Sequence, residues 1–186
     1  MKFRKINLFV CLMVLFSFLN LSISSSFAQA DTTEATVGAV TRESSYILFW
    51  PIVAGQVKGD SLYFLKSLKE NLREKFIFND LKKAEYYITL SEKRVVEAEK
   101  LFLDKKDPAN AAVTLAAAAD LRSKTAEFIK KAKDKNQSAS DVENSFKQSL
   151  TKQRALLQFL DTQVSDGKDN IEKNIDSLNA ILTKLD

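Results

Sequence analysis

Apolar and small residues return every three or four positions through most of the C-terminal half of this 186-residue chain, and that period constrains the fold more than any other feature. Over 80–104 the series is Leu81, Ala84, Ile88, Ser91, Val95, Ala98 and Phe102, a seam that needs a partner helix. Asp107-Pro108 opens the next helix, with a capping aspartate and a proline at the first helical position, where its missing N–H costs nothing. That helix, 108–133, carries Ala111, Ala112 and the run Ala116 to Ala119, small side chains that let a neighbouring helix come close. Over 141–164, Val142, Phe146, Leu150, Leu157, Leu160 and Val164 face one way.

The period continues across Ser165-Asp166-Gly167-Lys168-Asp169-Asn170 to Ile171, Ile175, Leu178, Leu182 and Leu185. One uninterrupted helix of about 45 residues would run about 68 Å at 1.5 Å per residue and project from any bundle built on the shorter helices. A run of polar residues with a glycine is a turn signal, so a break at 165–167 and a last helix over 168–185 are expected.

Upstream, Asp60 is the expected N-cap of a helix over 60–77, with Leu62, Leu65, Leu68, Leu72 and Phe76 as its inward stripe. Pro51 disfavours helix at Trp50, and Gly55 and Gly59 disfavour it further on. Tyr46 to Val57 is therefore expected to be an extended apolar segment, with Ile47, Phe49, Trp50 and Ile52 packed over a helix–helix groove. At about 25 cal/mol per Å² such packing is worth a few kcal/mol. The alternative is an exposed aromatic patch that docks a partner, with Phe49, Trp50 and Ile52 as contacts and Trp50 as anchor. The expected architecture is all-α: an up-and-down bundle of four to five helices over 45–186, preceded by that extended segment.

The N-terminus reads as an export signal. Lys2, Arg4 and Lys5 precede an apolar run over 6–23, and Ala28-Gln29-Ala30 offers small residues where a signal peptidase reads them, at Ala28 and Ala30. A signal peptide over 1–30 and a polar spacer over 31–44 are expected. An uncleaved anchor is the competing reading, because the run approaches the length needed to cross a bilayer.

Removing such a signal takes the lone cysteine, Cys11, with it, and the chain has no histidine. Disulfides, Cys/His zinc sites and His- or Cys-based nucleophilic triads are then excluded together. The 28 basic residues less Lys2, Arg4 and Lys5 leave 25 against 24 acidic ones, no electrostatic case for nucleic acid. Phosphate loops, calcium loops and repeats of solenoid length are absent from the sequence.

Lys66, Glu70, Arg73, Glu85 and Arg94 lie where helices 60–77 and 80–104 meet. Folding about Asn79 brings Arg73 level with Glu85 and Tyr63 near Arg94, so a salt bridge and an Arg–Tyr contact are expected there. Glu97 and Glu99 are expected on a solvated face, with no carboxylate pair in an apolar setting. Lys130, Lys131, Lys133 and Lys135 suit the C-terminal end of a helix dipole, or an anionic lipid or wall polymer.

Tyr46-Ile47-Leu48, Pro51, Gly59-Asp60-Ser61-Leu62-Tyr63-Phe64-Leu65-Lys66, Lys83-Ala84-Glu85, Arg94 and Glu97-Ala98-Glu99 together resemble a bacterial family of exported or membrane-tethered helical proteins defined only as a domain of unknown function. The likeness covers about 46–102. A second one, to helical hairpins that follow this domain in some members, covers about 152–182, with Val164-Ser165-Asp166 in place of a Val-Pro-Glu turn. The resemblance implies the helical fold and export, and brings no activity, cofactor or metal with it.

The expected function is that of an exported, non-enzymatic helical domain, periplasmic, cell-surface or secreted, that contacts an envelope protein or a second copy of itself. A membrane-tethered structural module held by its signal segment is the alternative, and a carboxylate-based envelope hydrolase is a further one. No cofactor, catalytic residue or nucleic-acid partner is expected.

Overall fold

The computed structural model describes residues 45–185, which belong to one compact unit, Val40–Asp186. The signal over 1–30, its cleavage residues Ala28 and Ala30, and the spacer over 31–44 lie outside the described residues.

Among the described residues six helices follow one another: α1 Ser45–Phe49, α2 Tyr63–Lys75, α3 Asp80–Leu103, α4 Pro108–Asp134, α5 Ser140–Gln163 and α6 Lys168–Leu185. No strand occurs among the described residues. Helices α3 to α6 run antiparallel through the short connections 104–107, 135–139 and 164–167. The cause is the sequence period, since the seam of α3 is buried along its length, with Ala84, Ser91, Val95 and Ala98 fully so. It packs most extensively on α4, where Ala111, Leu115 and Ala118 keep the two helices close. Phe146, Leu150, Leu157 and Leu160 of α5 and Ile171 and Leu178 of α6 complete the core.

The helix ends have local causes. Asn79 caps α3 by accepting from the Lys82 N–H at 3.0 Å, and Asp107 caps α4 by accepting from the Asn110 N–H at 3.0 Å, with Pro108 at the first helical position. The expected break between α5 and α6 is present. Gly167 makes it, with φ +86 and an ideal Cβ position only 2.9 Å from the Phe102 ring, a place that favours glycine on both counts.

Two expectations at the N-terminal side are corrected. The segment from Tyr46 begins as a short helix instead of an extended segment, and helix stops at Phe49 because Pro51 restricts Trp50; the Trp50–Pro51 peptide is cis. Asp60 is not the cap of α2, since Leu62 occupies that position. Its carboxylate instead closes the preceding turn, accepting from the Val57 N–H at 2.9 Å, and that bond, with the Lys105 ammonium beside it, holds its pKa below the ordinary value.

The larger correction concerns α2. Leu62, Leu65, Leu68, Leu72 and Phe76, expected to face inward, are exposed, and Glu70 is the buried residue of this helix. Lys66, Glu70 and Glu74 form a second series at helical spacing on the opposite side. The surface of α3 that α2 meets is polar, with Tyr86, Tyr87, Lys93, Arg94 and Glu97, so the charged side is the one that docks.

Candidate interaction surface and the ion network behind it

The α1 surface begins from a division between two adjacent aromatics. Phe49 points into the core at 3 % exposure, whereas Trp50 stands 65 % exposed. This overturns the packing expected of Trp50: the short helix turns Phe49 inward, and one groove position can take only one of the two. Ile52 is half-buried against the core. Tyr46, also exposed, meets Trp50 edge to face at 4.9 Å between centroids. Beside the pair, Tyr46, Ile52, Val53, Val96, Glu99 and Lys100 line a shallow cleft of about 290 Å³. Of the three expected contact residues, Trp50 is at the surface, Ile52 is partly so, and Phe49 is structural.

Behind this surface lies an ion network joining α2, α3 and the 54–56 loop. Arg94 is its centre. Its Nη1 donates to both oxygens of Glu97, at 2.8 and 3.0 Å, and its Nη2 donates to Glu70 Oε2. Lys93 donates to Glu70 Oε1 at 2.7 Å. Lys66 pairs with Glu97 and donates to the carbonyls of Ala54 at 2.9 Å and Gln56 at 2.6 Å, clamping the loop to the helix.

Burial and charge act on these groups in opposite directions. Burial raises the Glu97 pKa despite Arg94 and Lys66, and burial likewise lowers that of Lys66. At Glu70 burial is outweighed by the hydrogen bond from Lys93 and the charge of Arg94, and the carboxyl is held below its ordinary value. Arg94 stays charged, because Glu97 and Glu70 outweigh its desolvation.

The expectation of a solvated Glu97 is therefore wrong: it is 0 % exposed. Its period within α3, and the matching Lys66–Glu70 spacing of α2, were the signal for a charged seam. Glu97 is nevertheless a poor acid–base group, because Lys66 and Arg94 occupy its oxygens. Of the other expected contacts, Tyr63 does lie near enough to Arg94 for the guanidinium to act on its phenol, although burial dominates and raises its pKa. The Arg73–Glu85 bridge is not formed. Glu85 pairs with Lys82 at 2.8 Å, and Arg73 lies 5.2 Å over the Tyr86 ring, the two lining a shallow cleft with Ile77 and Thr89.

The basic residues at the end of α4 do not form an open cationic patch. Lys131 pairs with Glu127 at 2.6 Å, Lys133 with Glu143 and Lys135 with Asp80 at 2.5 Å. Among the described residues no group of three or more His, Cys, Asp or Glu side chains is placed to hold a metal ion, and no helix is long and apolar enough to cross a membrane.

Neither a curated protein nor a solved structure matches the chain. A family model described as "Domain of unknown function (DUF5667)" matches residues 55–184. That span begins after the Tyr46 to Pro51 part of the resemblance and runs from Lys66, Arg94 and Glu97 through the α5–α6 hairpin to nearly the end of the bundle. The chain belongs to this family of helical domains, DUF5667.

Proposed function

We propose that this chain is an exported helical domain without catalysis of its own, acting as a protein-contact module at the cell envelope through Tyr46, Trp50 and Val53. The observation that carries the proposal is Trp50, an aromatic of large contact area left 65 % exposed beside the buried Phe49. Tyr46 edge to face against it, with Glu99 and Lys100 lining the cleft beside the pair, gives the composition of a binding hot spot. Export rests on the basic N-terminus, the apolar run and Ala28-Gln29-Ala30.

Site-specific photo-cross-linking in intact cells tests it. A benzophenone amino acid at position 50 should give a discrete adduct with one envelope protein, and the same probe at exposed Val113 on α4 should not. Equal adducts at both positions, or none at position 50, would refute the contact. Intact mass of the recovered protein reads the other half: a chain beginning at Asp31 supports export with cleavage, and retention of residues 1–30 assigns the domain to a membrane tether.

A further inference from the structure

Helix α2 turns an apolar stripe outward. At 3.6 residues per turn, Leu62, Leu65, Leu68, Leu72 and Phe76 fall along one side of it, each about half exposed or more, opposite the buried Glu70. Phe64 on the same helix and Phe78 past its end are exposed as well, at 62 % and 88 %. This is a contiguous surface, unlike the single exposed apolar residues that any soluble domain carries.

The charges around the stripe indicate what covers it. Both acids of α2 face the bundle, Glu70 paired with Lys93 and Arg94 and Glu74 accepting from the Tyr87 hydroxyl at 2.8 Å. Lys69, Arg73 and Lys75 are exposed. By helical position Lys69 and Arg73 run along one rim of the stripe and Lys75 along the other. The outer side of α2 is therefore apolar between two cationic rims and carries no carboxylate.

We infer that α2 lies in the interface of an anionic lipid bilayer, with Leu65, Leu68 and Leu72 at the acyl boundary and Lys69, Arg73 and Lys75 at lipid phosphates. A second copy would match the stripe but set cations against cations along both rims. The network on the inner side holds α2 by its charges, leaving the apolar side free for lipid. The inference is independent of the Trp50 contact, and an outcome at position 50 does not decide it.

Vesicle co-sedimentation tests it with residues 40–186, which hold the whole described core. The protein should bind vesicles containing phosphatidylglycerol, bind less as salt rises, and ignore pure phosphatidylcholine. Leu68→Glu with Leu72→Glu should abolish binding, and Lys69→Gln with Lys75→Gln should weaken it roughly thirtyfold. All four positions are exposed, so circular dichroism should show an unchanged bundle.

Equal binding to both lipids, no binding to the anionic one, or wild-type binding by the Leu68/Leu72 variant would each overturn the inference. So would a solution dimer that this variant converts to monomer, which would give the face to a second copy. In the full chain, where residues 6–23 could themselves enter the bilayer, amide exchange over 62–76 should be slower on anionic than on zwitterionic vesicles. Identical exchange would also sink the idea.

Discussion

Replacing Glu97 with alanine should loosen α2 without unfolding the bundle. Glu97 is wholly buried and neutralises two cations, Arg94 at 2.8 Å and Lys66. After truncation Arg94 keeps Glu70 and Lys66 keeps the carbonyls of Ala54 and Gln56, but each has lost a desolvated counter-charge. Breaking a buried pair from one side costs about 3–5 kcal/mol. A domain of this size is stable by roughly 10 kcal/mol, and the core of α3 to α6 does not include this contact, so the bundle survives. Native-state hydrogen exchange should show faster exchange over 54–75 in Glu97→Ala, with the buried amides of α3 to α6 still protected. Combining Glu97→Ala with Lys66→Met should cost less than the sum of the two, by about 1–3 kcal/mol of coupling. Unchanged protection over 54–75, or an equal loss throughout the bundle, would refute the view that charge docks α2.

Three further outcomes are expected. Glu70 is held below its ordinary value of 4.5, so its stabilising contribution is present at neutral pH and lost as pH falls through the depressed value. Glu97, raised, works in the opposite sense, and Glu70→Gln should therefore flatten the acid limb of stability measured by urea unfolding below about pH 5. Gly167→Ala should cost more than Gly55→Ala on urea unfolding. Both have positive φ, which alone costs about 1–2 kcal/mol, but only position 167 sets a methyl group 2.9 Å from Phe102 while position 55 has nothing within 4 Å. Arg122 is fully buried, donates to Gln153 at 2.9 Å and Asn174 at 2.7 Å, and its pKa is lowered by burial to about 10. Replacing all three together, Arg122→Met, Gln153→Leu and Asn174→Leu, should raise the urea midpoint, by about 1–4 kcal/mol in stability; a loss of stability would mean the polar cluster holds the bundle together.

The four core helices were legible because one period served both as the sequence pattern and as the cause of packing. Leu81 to Phe102 had to bury the residues that repeat, and Asp107-Pro108 and Gly167 mark ends by backbone chemistry alone. Helix α2 was misread because it carries two periodic stripes. Hydrophobicity selects Leu65 and Leu72, but the complement offered by α3 is Arg94 and Glu97, and a pattern within one helix does not contain the surface of the next. The same limit applies to Phe49 and Trp50: adjacent apolar residues differ in burial by a turn of backbone that Pro51 ends but does not aim. Arg122 gave no signal, since an arginine among helix-forming residues reads as surface until Gln153 and Asn174 arrive from two other helices.

These features divide the molecule by the kind of contact that holds each part. Helices α3 to α6 are joined by buried aliphatic and aromatic side chains, whose loss would expose the core and unfold the domain. Helix α2 is joined to them mainly through Lys66, Glu70, Lys93, Arg94 and Glu97, helped by the Tyr86 hydroxyl donating to the Glu70 carbonyl at 3.0 Å and by Ile77 in a small cluster with Tyr86, Tyr87 and Leu90, whereas the loop before it is anchored in the core by Val57. An apolar interface would have consumed Leu62, Leu65, Leu68 and Leu72. Because charges make the attachment instead, this helix is both fixed in place and left with its apolar side available, a combination that neither an all-apolar nor an all-polar helix could provide. The attachment is also directional: ion pairs from Lys66 and Glu70 to three partners on α3, Lys93, Arg94 and Glu97, set the rotation of α2 about its axis, so the stripe faces away from the bundle.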